Sequence, residues 1–256
     1  MKYGWIIGVV LALNLPCLCL AQQKSYPGFA VVELFASEGC SSCPPAVDLL
    51  NSLTADVRQS HQPVYTLSFE VDYWDNQGWK DPYSAPQYTQ RQQDYSQRLT
   101  GESDRLYTPE MVINGKEGFS GTDEDKTRRD IFTYLNQPAS NALTITLEHS
   151  GALLKVHYQL AHESSDSVIN VALVERGIQS QVTAGENGGR QMRHDNLVRQ
   201  LKTVALEEMD TQGDIDLDYP KEGDLKNYSI IAYVQLFQDM SITAATGVDL
   251  DKGSVH

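Results

Sequence analysis

The sequence has few basic residues. Its 256 residues include 20 Lys and Arg against 34 Asp and Glu, which gives a formal net charge of −14 at pH 7. A protein that binds the nucleic-acid backbone needs a concentration of positive charge, and this chain has no surplus to supply one. We therefore expect no nucleic-acid partner, and we expect the acidic surface mainly to keep the protein soluble.

Long apolar runs are also scarce. One opens the chain, where Lys2 precedes an apolar stretch from Trp5 to Leu20 and small residues lead up to Ala21. The stretch is shorter than the roughly 20 residues that a membrane helix needs, and it has the parts of a secretory signal peptide. We expect residues 1–21 to be removed by a cut after Ala21. This predicts a periplasmic or secreted protein with no membrane span in the mature chain.

Cysteine is nearly absent. Of the four cysteines, Cys17 and Cys19 lie in the signal segment, so the mature chain keeps Cys40 and Cys43. Export brings this pair into an oxidising compartment, where paired thiols serve either as a fold staple or in redox chemistry. A bridge across two intervening residues removes little entropy from the unfolded chain, so the spacing favours redox chemistry.

The two cysteines stand between a strand pattern and a helix pattern. The apolar run from Ala30 to Phe35 precedes them, and Pro44-Pro45 marks a helix start directly after them. Unpaired N–H groups and the positive end of the helix dipole stabilise a thiolate, so we expect Cys40 to attack and Cys43 to resolve the mixed disulfide. An inert disulfide and a metal site remain alternatives, although zinc sites normally need two further ligands at ordered spacing.

The pattern after the cysteines alternates strands and helices as far as Pro138, and beyond it the period becomes two, which is typical of antiparallel strands. Strand, helix, strand is the order that gives a parallel pair. The predicted elements are strands over 30–35 and 64–71, helices from 44 and over 86–99, a hairpin turning at Asn114-Gly115, a helix over 122–136 with Thr122 as its N-cap, and later strands near 143–147, 154–160, 168–174 and 228–237.

Three longer segments carry a family resemblance. They read ELFASEGCSSCPP from Glu33, VDYWDNQGWKDPYS from Val71 and YTPEMVINGK from Tyr107, and the resemblance continues at GENGGR from Gly185 and HDNLVR from His194. The chain resembles secreted bacterial proteins with a thioredoxin-like N-terminal domain that are catalogued as a domain of unknown function. The resemblance and the period-two pattern together imply an α/β thioredoxin-like domain over 28–138, followed by an all-β antiparallel sandwich-like domain over 140–250.

The resemblance also implies roles for single residues. Pro109 would be the cis proline that lies beside the cysteine pair, leaving the Thr108 backbone free to pair with an extended peptide. Glu33 would be the buried acid that accepts the proton of the resolving thiol. The alternatives are a trans turn proline and a glutamate at a strand edge with no redox role.

Further candidate residues follow the second predicted strand. Tyr73, Trp74 and Trp79 are candidate substrate-binding residues, because aromatic side chains give a large contact area at low entropic cost. Packing in the core is the alternative interpretation. Arg190, His194 and Arg199 form a second polar group, for which we favour structural hydrogen bonding between strands.

These observations predict an exported thiol-disulfide oxidoreductase that works through Cys40 and Cys43 and needs neither a cofactor nor a metal. Its expected partners are thiol- or disulfide-containing proteins of the cell envelope or secreted proteins, or small thiols. The main alternative is a noncatalytic envelope binding protein in which the same two cysteines form a structural disulfide. A copper or zinc handler is a third interpretation.

Overall fold

The computed structural model describes Met1 and residues 25–207, 210–221 and 223–252. The predicted signal peptide, apart from Met1, and its cleavage site lie outside these residues. The described part of the chain contains three α-helices, α1 (Pro44–Ser60), α2 (Pro86–Thr100) and α3 (Glu124–Leu135). None of the helices described is both long and apolar enough to cross a membrane.

The same residues form thirteen strands. They are β1 (Ala30–Ala36), β2 (Val64–Glu70), β3 (Glu110–Ile113), β4 (Glu117–Ser120), β5 (Leu143–Ser150), β6 (Leu153–Leu160), β7 (Ser167–Glu175), β8 (Ile178–Gln181), β9 (Gln191–His194), β10 (Leu197–Leu206), β11 (Gln212–Asp218), β12 (Tyr228–Leu236) and β13 (Ile242–Asp249).

The first half of the chain is built as its pattern predicts. β1 and β2 pair in parallel, with Ala30 opposite Val64, and α1 provides the crossover between them. Pro44 and Pro45 occupy the first turn of α1, where N–H groups have no partner within the helix, so the missing N–H costs no hydrogen bond. After Ser60 the helix is capped by His61, whose φ of 55° lies in the left-handed region. The predicted strand–helix–strand order and its parallel pairing are confirmed.

The hairpin predicted at Asn114-Gly115 is also present. β3 pairs with both β1 and β4, antiparallel in each case. Asn114 and Gly115 have φ of 48° and 67°, and a turn of this kind requires the left-handed region at both positions. Glycine is needed at the second position for a further reason, because a Cβ there would lie 1.8 Å from the carbonyl oxygen of Met240.

The predicted fold class is wrong. The protein is mostly β, and strands from both halves of the chain form one eight-stranded mixed sheet in the order β13-β12-β7-β10-β2-β1-β3-β4. The halves join where Leu197 of β10 pairs in parallel with Ser68 of β2. An α/β thioredoxin-like domain followed by a separate all-β sandwich would instead require two sheets. The boundaries 28–138 and 140–250 stay predictions.

Packing explains why the halves combine. One face of β1 and β2 packs on α1, while Phe35 and Phe69 on the other face share a hydrophobic cluster with Ile231 and Tyr233 of β12. The far side of β7, β12 and β13 packs against the three-stranded sheet β11-β6-β5. The apolar face that α1 leaves uncovered is thus buried jointly by α2 and by the second half. A sequence pattern does not reveal this, because it shows that a face is apolar but not what covers it.

Several elements differ from the sequence predictions. The N-cap of α3 is Asp123, whose side chain accepts from the Lys126 amide, and not Thr122. Five strands, β8, β9, β10, β11 and β13, were not predicted. β8 and β9 form a two-stranded sheet of their own. We call residues 178–194, the two strands with their connecting loop, the β8–β9 arm.

Candidate functional site

Cys40 and Cys43 form a disulfide at the turn between β1 and α1, with their Cα atoms 5.4 Å apart. Cys43 is the N-cap residue of α1, and its amide donates to the Cys40 carbonyl at 3.1 Å. The carbonyl of Cys43 in turn accepts from the amides of Ala46 and Val47, the first that the helix offers after its two prolines. The expected position of the cysteine pair at a helix start is confirmed.

Both cysteines are buried. Each is 0% exposed and packs in the cluster between α1 and the sheet, whereas Ser41 and Ser42 between them are exposed. The Ser42 hydroxyl lies 3.3 Å from Cys40 Sγ, which places that sulfur just beneath the surface. An incoming thiol therefore cannot reach the disulfide in this conformation.

The β8–β9 arm covers the disulfide turn. Asn187, itself 0% exposed, donates through Nδ2 to the carbonyls of Glu38 at 2.9 Å and Cys40 at 2.8 Å. The neighbouring Glu186 accepts from the Ser41 amide through Oε2 at 3.1 Å. Val182 and Met192 of the arm pack in the same cluster as the cysteines. The arm is thus fixed to the turn by hydrogen bonds to its backbone and by apolar contact.

Thr108 and Pro109 lie on the other side of the turn. The peptide bond between them is cis. The Ser42 hydroxyl donates to the Thr108 carbonyl at 3.4 Å, and the Gly121 amide donates to the Pro109 carbonyl at 3.0 Å. The fold thus brings these two predicted site residues to the cysteine pair from 66 residues further along the chain.

Glu33 lies elsewhere. Side chains alternate along a strand, and while Val32 and Leu34 pack in the cluster that contains the cysteines, Glu33 points to the opposite face of β1. There it is 0% exposed and pairs with Arg91, whose Nε and Nη2 donate to its two carboxylate oxygens at 2.8 and 3.0 Å. Tyr95 and Tyr233 donate to it as well. The structure therefore does not bring Glu33 to the disulfide.

The aromatic candidates divide between two places. Trp74 and Trp79 are half-buried and pack against the cluster of the cysteines, and Trp79 Nε1 donates to Glu38 Oε2 at 3.0 Å. Tyr73 packs in the cluster on the other face and donates to Gln92 at 3.3 Å. Burial raises the pKa of Tyr73 to about 12. The two tryptophans adjoin the cluster of the cysteines, and Tyr73 reaches the site through its side-chain interaction with Thr108.

A buried polar group lies next to the disulfide turn. Glu38, two residues before Cys40, is 0% exposed, and its carboxylate accepts from Ser180 and Trp79 and pairs with His194 Nε2 at 3.1 Å. Burial raises the pKa of Glu38, but the hydrogen bonds from these three partners lower it by more, so it lies below the usual value. Glu38 thereby links the turn to both strands of the arm.

Two further acids complete this group. Burial raises the pKa of Glu70 well above its usual value, and the charges of Asp81 and Glu38 raise it further. Burial also raises the pKa of Asp81, which accepts from the Glu38 amide at 2.8 Å. Among the residues described, no three His, Cys, Asp or Glu side chains are grouped so that they could hold a metal ion.

The sequence interpretation missed Glu38, Glu186 and Asn187. Glu38 stands within the segment that carries the cysteines, yet nothing in its neighbourhood marks it as more important than Glu33. Gly185 to Gly189 reads as a turn, but the contact of that turn with residues 145 to 149 positions earlier is a property of the tertiary fold. His194 is buried and hydrogen-bonded, as the structural interpretation of it expects.

Comparison with known proteins finds one family and several solved structures. A family profile described as a protein of unknown function (DUF1223) matches residues 31–235. A structural-genomics target protein from Agrobacterium tumefaciens is 24% identical, with a TM-score of 0.64, and the match covers 91% of this chain and 99% of that one. HBP35 of Porphyromonas gingivalis is 14% identical, with a TM-score of 0.60 and coverage of 90% and 78%. No curated protein matches the chain.

Proposed function

The chain belongs to the DUF1223 family, whose function is unknown, and we propose that it is a thiol-disulfide oxidoreductase that works through Cys40 and Cys43. The observation that carries the proposal is the site of the disulfide. It closes the turn at the start of α1. The exposed Ser42 of this turn has its hydroxyl next to Cys40 Sγ and bonded to the carbonyl of Thr108, which precedes Pro109. We further propose that the likeness to thioredoxin-like proteins is limited to this turn and to the nearby Pro109.

The exchange proceeds in two balanced steps. A thiolate of a partner dithiol attacks Cys40 Sγ, which forms a mixed disulfide and releases Cys43 as a thiolate that takes up a proton. The second thiolate of the partner then attacks the partner sulfur of the mixed disulfide and releases Cys40, which is protonated in turn. The partner loses two electrons and two protons, which the Cys40–Cys43 pair gains. The reverse sequence transfers them back.

The structure supplies two groups that favour Cys40 as the leaving sulfur in the second step. The Ser42 hydroxyl, which donates to the Thr108 carbonyl in this structure, lies 3.3 Å from Cys40 Sγ and can turn its hydrogen towards a thiolate there, and the start of α1 presents the positive end of the helix dipole. Cys43 is the N-cap residue of α1, and within the described part of the chain only the Cys40 sulfur lies at hydrogen-bonding distance from an exposed hydroxyl. This difference supports the proposal that Cys40 attacks and Cys43 resolves.

We place this activity outside the cytoplasm. We propose that residues 1–21 are removed on export. The partners are then thiol- or disulfide-containing proteins of the envelope, or secreted proteins. The Cys40–Cys43 disulfide persists in an oxidising compartment, and exchange with a disulfide of another protein re-forms it after it has been reduced. Trp74 and Trp79 contribute apolar surface next to the turn, which is where an extended partner segment would lie against the Thr108 backbone.

A second candidate function is a noncatalytic binding protein in which the disulfide is structural. The burial of both cysteines favours it, because a disulfide that stabilises a turn has no need of access. The two functions differ in one respect that can be measured: an oxidoreductase exchanges its disulfide while folded, whereas a structural disulfide of this kind exchanges after unfolding.

The experiment mixes the oxidised mature chain, residues 22–256, with a reduced peptide that contains two cysteines. We expect the peptide to become oxidised and the protein to become reduced in equal amounts, without loss of native circular dichroism. Intact mass of both species measures the transfer. The variant Cys40→Ala/Cys43→Ala is the control and leaves the peptide reduced. If the disulfide persists until denaturant is added, both in the wild type and in Asn187→Ala, which lacks the two hydrogen bonds from the arm to the turn, the binding function replaces the oxidoreductase.

A further inference from the structure

The contacts of the β8–β9 arm suggest what limits access to the disulfide. The loop of the arm, residues 183–190, makes its polar contacts to the turn through two adjacent residues. Asn187 holds the carbonyls of Glu38 and Cys40, and Glu186 accepts from the Ser41 amide. We propose that this loop is a lid that inhibits the dithiol, with Asn187 as its latch and Glu186 as a charge that opposes the Cys40 thiolate. The inference rests on the proposed function.

The first argument is steric. Cys40 is 0% exposed although Ser41 and Ser42 beside it are exposed, so the turn itself is at the surface and other elements cover its sulfur. An attacking thiolate must approach Cys40 Sγ directly, and its rate depends on that access. Asn187 is equally buried and bonds to the Cys40 carbonyl itself, which makes the arm part of the cover.

The second argument is electrostatic. The Ser41 amide is next to Cys40 in a turn whose amides would otherwise stabilise a thiolate on that sulfur. Glu186 takes up this amide, and its contact with Ser41 lowers the pKa of the Glu186 carboxyl, so the group is ionised at neutral pH. A carboxylate here removes a donor from the thiolate and adds a like charge near it. The closed lid therefore disfavours the reactive form of Cys40 as well as hiding it.

The arm has a fixed base and a tip that can move separately. Ser180 and His194, on its two strands, both contact the buried carboxylate of Glu38. The tip belongs to neither large sheet, and its turn residues Gly185 and Gly189 have φ of 70° and 89°. The tip also packs at Gly185 against Gly78 and Trp79. Release of the Asn187 and Glu186 contacts would remove its polar contacts with the turn without disturbing the buried polar group at the base, and movement of the tip would then separate only the packing at Gly185. We expect a protein partner to displace the tip when it docks beside the turn.

The test measures how fast dithiothreitol reduces the native disulfide in full-length mature protein. The variants are Asn187→Ala, Glu186→Gln and, as the matched control, Thr183→Ala. Thr183 is an exposed residue of the same loop, and its side chain makes no hydrogen bond within the part of the chain that is described. Thiol content and circular dichroism are followed together. For the reduced proteins, the pH dependence of Cys40 alkylation gives the pKa of the thiol.

We expect Asn187→Ala to be reduced at least about tenfold faster than the wild type, because two hydrogen bonds of the latch are lost. We expect Glu186→Gln to lower the Cys40 thiol pKa and to be reduced faster, and Thr183→Ala to match the wild type. If Asn187→Ala does not fold, the pH dependence of Cys40 alkylation in Glu186→Gln tests the lid.

The outcomes separate the lid from the function on which it rests. If the variants and the wild type are reduced at the same rate, and Glu186→Gln leaves the thiol pKa unchanged, the lid is refuted. The peptide exchange described above then still decides the function by itself. If dithiothreitol reduces Asn187→Ala faster than the wild type, but neither protein oxidises the peptide dithiol, the lid is supported and the oxidoreductase is refuted.

Discussion

Opening the Cys40–Cys43 disulfide should weaken the fold only slightly. The bridge closes a loop of four residues, from Cys40 to Cys43. The chain-entropy relation gives about 2 kcal/mol at 25 °C for a loop of this length, which is at the low end for disulfides. Both thiols remain in an apolar cluster, where a free cysteine packs as a small hydrophobic group. A dithiol that changes redox state during function requires this tolerance.

The assay is urea unfolding of the oxidised protein, the reduced protein and the Cys40→Ala/Cys43→Ala variant. We expect the reduced protein to lose about 2 kcal/mol in its free energy of unfolding and to keep a cooperative transition. The double variant should lose somewhat more, because alanine leaves small cavities in the cluster. A reduced chain that is unfolded without urea, or that loses more than about 4 kcal/mol, would refute the reasoning and make the disulfide a structural staple.

Two buried ionisable groups give further predictions. Because the pKa of Glu70 is raised, its carboxyl stays protonated in the folded state at pH values where it ionises in the unfolded chain, and the stability of the wild type falls as pH rises. Glu70→Gln has no carboxyl to titrate. Its free energy of unfolding, relative to that of the wild type, should therefore rise by up to about 1.4 kcal/mol per pH unit above roughly pH 4.5. A difference constant between about pH 4 and pH 8, measured by urea unfolding, would contradict this. Arg91→Met leaves the Glu33 carboxylate buried without its partner and should cost about 3–5 kcal/mol, with part of the loss restored by adding Glu33→Gln. A cost below about 1 kcal/mol would show that the pair is not needed.

Local patterns predicted the local structure well. The positions of Pro44-Pro45, the alternation in β2 and the Asn114-Gly115 turn each depend on neighbouring residues, and each is found where expected. The pattern of period two also located β5, β6, β7 and β12. These features follow from backbone geometry and from amphipathic periodicity, which the sequence displays directly.

Long-range arrangement could not be predicted in the same way. One pairing, Leu197 with Ser68, joins the two halves into a single sheet, and no local pattern around either residue specifies it. The strands that were missed include β9, β10 and β11, which have polar residues at many positions and therefore lack a clear apolar period. The fold-class prediction failed because it treated each half as sufficient for its own core.

The candidate site shows the same division. The cysteine pair and its helix start could be proposed from residue types and spacing, and the nearby proline from the family resemblance. Glu33 was proposed as a buried acid, and it is buried, but strand alternation directs it to Arg91 on the opposite face. The acids next to the disulfide turn are Glu38, two residues before Cys40, and Glu186, which accepts from the Ser41 amide. Asn187, which helps to cover the turn, comes from an arm that was not predicted.

The central claim is that Cys40 exchanges disulfides with other proteins outside the cytoplasm, and trapping tests it most directly. The variant Cys43→Ala, expressed with its signal segment intact, retains Cys40 and lacks the thiol that would release a partner. We predict covalent adducts on this variant that disappear with reductant and that are missing from Cys40→Ala/Cys43→Ala. A folded, exported Cys43→Ala protein whose intact mass shows Cys40 as a free thiol, with no adduct of any kind, would contradict the account.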